Sequence, residues 1–290
     1  MNSLTGLGVA LVTPFNEDLS IDYNSLTKLI EYNIENGTNY FVVLGTTAEA
    51  ATLSVEEKEK LTSHVVKVNA GRLPLVLGIG GNNTMEVKKQ IESTDLSDFA
   101  AVLSVSPYYN KPNQEGIYQH YKELAKTNKN IIIYNVPSRT GQNIEAATTL
   151  RLASEFKNLI MIKEASPQIS QYFDLLRKKP EHFKLVSGDD EYTLPVTLAG
   201  GDGVISVIGQ AYPNEFSKML KLAKENKVKE AYQIHNSLVE ITRLIFEEGN
   251  PCGIKLVLSE KGLIQNYLRL PLVKASDKLS HKIKDQMSLL

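Results

Sequence analysis

Short apolar runs alternate with amphipathic stretches along most of the chain. Each run has the length and the aliphatic composition of a buried strand, whereas the stretches between them have the apolar spacing of helices. The predicted strands span residues 8–13, 40–44, 73–78, 100–106, 130–135, 159–163, 183–187 and 203–208. Strands that alternate with helices pair in parallel, so eight such units predict an α/β fold of the (β/α)8 type, a TIM barrel.

Helix-start signals stand between the runs. Ser54, followed by Glu57, has the form of a capping box, in which each residue bonds a backbone N–H of the other. Asn83 and Glu86 form a similar, weaker signal. We therefore expect helices to begin at these two places.

The pattern changes after the eighth run. From about Tyr212 onward it is helical without strands, and one apolar stripe is formed by Ile234, Leu238, Ile241 and Ile245. We predict a barrel over residues 1–211 and, over 212–290, the last barrel helix with a C-terminal helical appendage.

Composition and charge exclude several classes of protein. The 290 residues are 42% apolar, and 32 basic side chains against 33 acidic ones give a net charge of −1, so neither nucleic acid nor membrane is an expected partner. The single cysteine and the scattered histidines predict no disulfide framework and no metal site. The N-terminus has no charged-then-apolar leader pattern, and we expect a cytoplasmic protein.

The run 159–163 is anomalous because it ends in a lysine. Four consecutive apolar residues before Lys163 predict a strand buried on both faces. An ammonium in such a place loses hydration, which favours the free amine that attacks carbonyl groups. The alternative is a lysine at a strand end that reaches solvent.

Further polar side chains follow the predicted strands, at the end of a barrel where active sites lie. Tyr134 and Lys163 end successive strands, so a phenol is expected beside the amine, and the hydroxyl of Thr46 could relay protons. Arg139 offers a planar fork for a carboxylate. This set suits carbon–carbon bond chemistry on a keto acid. Alternatively, Tyr134 is a core tyrosine, Arg139 forms a surface ion pair and Thr46–Thr47 is an ordinary turn.

Five stretches resemble the motifs of the dihydrodipicolinate synthase family. They are Gly45-Thr46-Thr47-x-Glu49, Tyr108-Tyr109-Asn110-Lys111-Pro112, Tyr134-Asn135-Val136-Pro137-Ser138-Arg139-Thr140-Gly141, Ile162-Lys163-Glu164-Ala165 and Gly203-Val204-Ile205-Ser206. That family belongs to the pyruvate-dependent Schiff-base (class I) aldolases, which also include N-acetylneuraminate lyase. The resemblance runs from Gly6 through Pro271, and the stretch 134–141 is specific to the synthase branch.

The resemblance implies catalytic roles and a reaction. Lys163 would form an imine with pyruvate, and Tyr134, Thr46 and Tyr109 would form a proton relay. Tyr109 would reach into the neighbouring subunit's site, which implies a homo-oligomer, a dimer at least and commonly a tetramer. The reaction would condense pyruvate with L-aspartate-4-semialdehyde to 4-hydroxy-tetrahydrodipicolinate, in the diaminopimelate route to lysine, without a metal or organic cofactor.

The resemblance also implies substrate-binding residues. Thr47 and adjacent backbone would hold the pyruvate carboxylate, and Arg139 would hold the carboxylate of the semialdehyde. Gly188 and Ile205 would line the pocket. Ala48 stands where the family usually has glycine, so alanine would be strained if that turn required a positive φ.

A possible allosteric site for L-lysine is also implied. The positions that match it are Ala51, Asn82, Glu86 and Tyr108. Val55 and Lys58, however, stand where some inhibited members have histidine. Because a nearby Lys58 ammonium would repel a lysine cation, we expect weak or absent inhibition.

Two other functions stay open at this point. The first is a sibling lyase acting on a sugar acid such as N-acetylneuraminate, from which Arg139 separates the synthase because a polyol needs no carboxylate clamp. The second is a non-catalytic ligand-binding barrel. Lys163, Tyr134 and Thr46 together argue against the second, because a structural role places no joint demand on them.

Overall fold

The computed structural model describes residues 4–290, in which eight parallel strands form a closed barrel in chain order. The strands are β1 (Gly6–Ala10), β2 (Tyr40–Val43), β3 (Leu75–Gly78), β4 (Ala101–Val105), β5 (Ile131–Asn135), β6 (Leu159–Glu164), β7 (Lys184–Ser187) and β8 (Gly203–Ser206). Each overlaps its predicted run, and the predicted TIM barrel is confirmed. Residues 1–3, part of the N-terminus expected to lack a leader, lie outside the described residues.

Helices follow the strands and continue after the last of them. They are α1 (Tyr23–Glu35), α2 (Val55–Asn69), α3 (Thr84–Ser93), α4 (Gln114–Ala125), α5 (Pro137–Thr140), α6 (Ala146–Glu155), α7 (Ile169–Lys178), α8 (Thr193–Leu198), α9 (Pro213–Lys224), α10 (Val228–Glu247), α11 (Cys252–Glu260) and α12 (Asp277–Met287). None of those in residues 4–290 combines the length and the apolar composition that a membrane span requires.

The predicted helix starts are found in the structure. The Ser54 hydroxyl accepts a hydrogen bond from the Glu57 N–H at 3.1 Å, and Glu57 Oε2 accepts from the Ser54 N–H at 2.9 Å, so the capping box of α2 is confirmed. Asn83 caps α3 by accepting from the N–H groups of Met85 and Glu86. Both caps satisfy donors that the first turn of a helix leaves unpaired.

The chain divides into two compact units. One is Leu75–Ile205, which contains β3 to β7 and most of β8, and the other combines the described residues up to Pro74 with Ser206–Leu290. Within the described residues, no strand follows β8. The boundary predicted between 211 and 212 stays a prediction.

A buried ion pair lies within the second of these units. Lys255 on α11 is fully buried, with its Nζ 2.5 Å from Glu49 Oε1, and it donates a hydrogen bond to the Tyr267 carbonyl at 2.8 Å. Burial lowers the pKa of Lys255 to about 8, against the attraction of Glu49. Glu49 Oε2 also accepts from the Arg269 N–H at 3.0 Å. The C-terminal segment thus fixes the residue that follows the Thr46–Ala48 turn.

We expect Lys255→Met to lower the free energy of unfolding by about 3–5 kcal/mol, because it leaves the Glu49 carboxylate buried without a cation. Urea denaturation measures the loss. The control is Lys60→Met, which breaks an exposed pair with Glu56 and should cost about 0–1 kcal/mol. Adding Glu49→Gln to Lys255→Met should recover part of the loss, and strictly additive losses would contradict the pairing.

Candidate active site

The structure brings Lys163 and Tyr134 together, as the sequence predicts. They are register partners on the parallel strands β6 and β5. Lys163 is 5% exposed and Tyr134 is 7% exposed, and the amine nitrogen lies 4.5 Å from the centroid of the tyrosine ring. Lys163 is therefore not a strand-end lysine that reaches bulk solvent.

Gly188 leaves the room that the Lys163 side chain occupies. It follows β7, and its N–H donates a hydrogen bond to the Glu164 carbonyl at 2.6 Å. A Cβ at position 188 would lie 3.0 Å from both Cγ and Cε of Lys163 and 2.8 Å from the Cβ of Ala165. Any larger residue would displace the lysine. Ile205 on β8 is fully buried.

Arg139 lies on an exposed turn directly after β5. The turn is α5, which begins at Pro137, a residue suited to the first position of a helix, and ends at Gly141 with φ +75°. The Lys111 side chain lies over this glycine, with its Cε 2.7 Å from where a Gly141 Cβ would stand. A second basic group therefore accompanies Arg139 at this turn. Sequence reasoning assigned Lys111 no role, because the two positions meet only in the folded chain.

The loop after β4 carries Tyr108 and Tyr109. The Asn82 side chain donates to the Tyr108 carbonyl at 3.1 Å, and the Asn110 side chain donates to the Asn82 carbonyl at 2.9 Å. Tyr109 is 89% exposed, and its φ of +73° is rare for a residue with a side chain. Within one chain, Tyr109 does not belong to the buried pair of Lys163 and Tyr134.

Thr46 and Thr47 lie in a 3-10 turn, Thr46–Ala48, directly after β2. The Thr47 hydroxyl accepts a hydrogen bond from the Asn250 side chain at 2.9 Å. The left-handed residue of the turn is Glu49, with φ +53°, and Ala48 has no positive φ. Alanine at position 48 is therefore not strained. The expectation of strain applied only if this position required a positive φ, and it does not.

The positions that match a lysine-binding site lie at the surface. They are Ala51, Asn82, Glu86 and Tyr108, all of which are exposed. Val55 is 73% exposed and Lys58 is half-buried, both in the first turns of α2. Residues 4–290 contain no cluster of three or more His, Cys, Asp or Glu side chains that could hold a metal ion.

Two buried polar residues stand directly beside the pair of Lys163 and Tyr134. Asn135 follows Tyr134 and Glu164 follows Lys163, and they too are register partners, with Asn135 Nδ2 donating to Glu164 Oε1 at 2.8 Å. Burial raises the pKa of Glu164, although its hydrogen-bond donors oppose this. Sequence reasoning quoted both residues within motifs and assigned them no role. The sequence feature that could have identified them is their position directly after Tyr134 and Lys163.

Comparison with known proteins gives a consistent result. Residues 3–289 match the model of the dihydrodipicolinate synthetase family. The chain is 54% identical to the 4-hydroxy-tetrahydrodipicolinate synthase of Flavobacterium psychrophilum, over 98% of this chain and 97% of the relative.

Solved structures agree with the family match. One is the chloride-inhibited dihydrodipicolinate synthase of Acinetobacter baumannii complexed with pyruvate, 36% identical, with a TM-score of 0.95 over 99% of this chain and 98% of that one. Another is a dihydrodipicolinate synthase variant described as the first monomeric one, 37% identical, with a TM-score of 0.95 over 98% and 96% of the two chains. The chain belongs to the dihydrodipicolinate synthetase family.

Proposed function

We propose that this chain is a lyase that condenses pyruvate with L-aspartate-4-semialdehyde to give 4-hydroxy-tetrahydrodipicolinate, in the diaminopimelate route to lysine. The observation that carries the proposal is the buried Lys163 amine, 4.5 Å from the centroid of the Tyr134 ring. A primary amine is the group that forms a Schiff base with a keto acid, and a phenol can carry the protons that this requires.

The chemistry begins at Lys163. Its Nζ attacks the pyruvate ketone, water leaves, and the protonated imine withdraws electrons so that the methyl group becomes acidic. Loss of a methyl proton gives an enamine, whose carbon attacks the aldehyde, and the aldehyde oxygen takes up a proton. The amine of the semialdehyde then attacks the imine carbon, and Lys163 departs as the ring closes. We assign the proton transfers to Tyr134, Thr46 and Tyr109.

The substrates carry carboxylates, for which we propose three kinds of contact. Thr47 and adjacent backbone hold the pyruvate carboxylate, and Arg139 holds the carboxylate of the semialdehyde. Gly188 and Ile205 line the pocket. The room that Gly188 leaves around Lys163 supports the last assignment, and Arg139 is exposed on α5, directly after β5.

We further propose a cytoplasmic homo-oligomer, a dimer or a tetramer, in which Tyr109 completes the relay of a neighbouring copy. Support comes from the side chain itself, because a tyrosine that is 89% exposed on a left-handed backbone has no packing reason to be held there. The experiments below distinguish this function from that of a sibling lyase and from that of a non-catalytic barrel.

Sodium borohydride added with pyruvate should reduce the imine and leave a stable modification on Lys163, detected by peptide mass spectrometry. Lys163→Ala should abolish it, whereas Lys60→Ala, which removes an exposed lysine, should not. Tyr134→Phe should keep the modification and reduce kcat by about 10²- to 10⁴-fold, because it removes the proton carrier. An unmodified Lys163 peptide in the parent protein would favour a binding protein instead.

Arg139→Ala should raise KM for the semialdehyde by about 10- to 100-fold, the loss expected for a charge-assisted hydrogen bond, and leave KM for pyruvate unchanged. Steady-state kinetics in a coupled assay measures both constants. Arg151→Ala is the control, because Arg151 is partly exposed on α6 and stacks on Tyr118. Unchanged semialdehyde kinetics, or greater activity on N-acetylneuraminate, would reverse the assignment.

We propose that Ala51, Asn82, Glu86 and Tyr108 form at most a weak site for L-lysine, because Lys58 adds a like charge. L-lysine up to millimolar concentration should leave the condensation rate nearly unchanged. The double variant Val55→His/Lys58→His should gain sensitivity to L-lysine. Micromolar inhibition of the parent protein would contradict this regulatory assignment without touching the catalytic one.

A further inference from the structure

A buried polar network lies on the face of β5 and β6 opposite the reactive pair. Side chains alternate along a strand, so Tyr134 and Lys163 share one face, and their successors Asn135 and Glu164 share the other. Both Asn135 and Glu164 are fully buried. The two register pairs are therefore consecutive along β5 and β6.

The Glu164 carboxylate is the centre of this network. Oε1 accepts hydrogen bonds from Asn135 Nδ2 at 2.8 Å and from the Ser166 N–H at 2.7 Å. Oε2 accepts from Gln171 Nε2 at 2.8 Å and from Asn135 Nδ2 at 3.1 Å. A carboxylate only accepts, so its position is specified by donors on β5, on α7 and on the backbone after β6.

The network also reaches the segment that follows the Arg139 turn. Asn135 Nδ2 donates to Asn143 Oδ1 at 2.8 Å, and Asn135 Oδ1 accepts from the Ile144 N–H at 3.0 Å. Gln171 Nε2 donates to the Ile144 carbonyl at 3.1 Å, and Gln171 Oε1 accepts from Asn143 Nδ2 at 2.8 Å. One set of hydrogen bonds thus joins β5, β6, α7 and the chain just beyond α5.

We propose that Glu164 is a positioning residue for the reaction, acting through the backbone of β5 and β6 to keep the Lys163 amine and the Tyr134 phenol aligned. This inference rests on the proposed function of that pair. Interior hydrophobic residues could hold two strands together at less desolvation cost, so stability alone does not account for a fully buried carboxylate. A carboxylate with directional partners fixes relative position, and small misplacements of reacting groups cost large factors in rate.

Glu164→Gln tests the inference with little change in shape. The N–H groups of the new amide would face the amide N–H groups of Asn135 or Gln171, so that two donors meet. Neither partner can flip its amide to present an oxygen without losing its bonds to Asn143 and Ile144. We expect kcat to fall about 10- to 100-fold. Glu155→Gln, the same change at the exposed carboxylate that accepts from Tyr118, should leave kcat unchanged.

A double-mutant cycle separates positioning from general stability. Because Glu164 is proposed to align Tyr134 as well as Lys163, Glu164→Gln should cost a smaller factor in a Tyr134→Phe background than in the parent, since the aligned phenol is already absent there. Equal fold losses in the two backgrounds would overturn the inference. Thermal unfolding of each variant fixes an assay temperature at which all remain folded.

A second variant covers the case in which Glu164→Gln does not fold. Gln171→Leu is similar in size and removes the Nε2 donor to Glu164 together with the Gln171 bonds to Asn143 and Ile144, and its loss of kcat should show the same dependence on Tyr134. The rate of pyruvate-dependent borohydride labelling of Lys163 is a separate readout, which we expect to fall in both variants. A parent that labels but does not condense the two substrates would refute the proposed reaction, whereas equal labelling rates in parent and variants would refute positioning.

Discussion

The central constraint on this molecule is the burial of a primary amine at the end of β6. Lys163 is 5% exposed, and the nearest aromatic ring is that of its register partner, Tyr134. Burying an amine costs hydration free energy, so the surroundings must be specified closely for the arrangement to persist. Because Gly188 has no Cβ, the Lys163 side chain has room beside it, and the parallel register places the phenol next to the amine. The proximity of Lys163 and Tyr134 therefore follows from backbone pairing more than from any local motif.

Lys255 is a second buried lysine, and its surroundings differ from those of Lys163. Lys255 forms an ion pair with Glu49 and also donates to a backbone carbonyl, so its ammonium is matched by fixed partners. The Lys163 amine instead lies 4.5 Å from the centroid of an aromatic ring, that of Tyr134. A ring attracts a cation less strongly than a buried carboxylate does. The fixed partners of Lys255 therefore suit a structural role.

Most of the fold could be predicted from the sequence, because strand-length apolar runs and helix caps are local signals. The capping box at Ser54 needs only residues three apart, and the run before Lys163 identifies a buried strand by itself. The pairing of Tyr134 with Lys163 followed from one further rule, that successive strands of a barrel are neighbours. Strand ends were less certain, and β1 ends at Ala10 rather than Thr13, where Gln210 satisfies the Val12 N–H through its side chain.

What the sequence could not provide were contacts between distant positions. The pairing of Glu49 with Lys255 and the position of Lys111 over Gly141 depend on loops whose course no periodic pattern records. The turn at Thr46 is a related case, since the missing glycine at 48 suggested strain, yet the left-handed residue is Glu49, which Lys255 and the Arg269 N–H hold in place. A left-handed conformation costs a residue with a side chain about 1–2 kcal/mol, and it persists where surrounding contacts fix the residue. The turn that carries Thr46 and Thr47 is thus held by the C-terminal segment, through Lys255 on α11 and the backbone of Arg269, and these contacts cannot be read from the sequence of the turn.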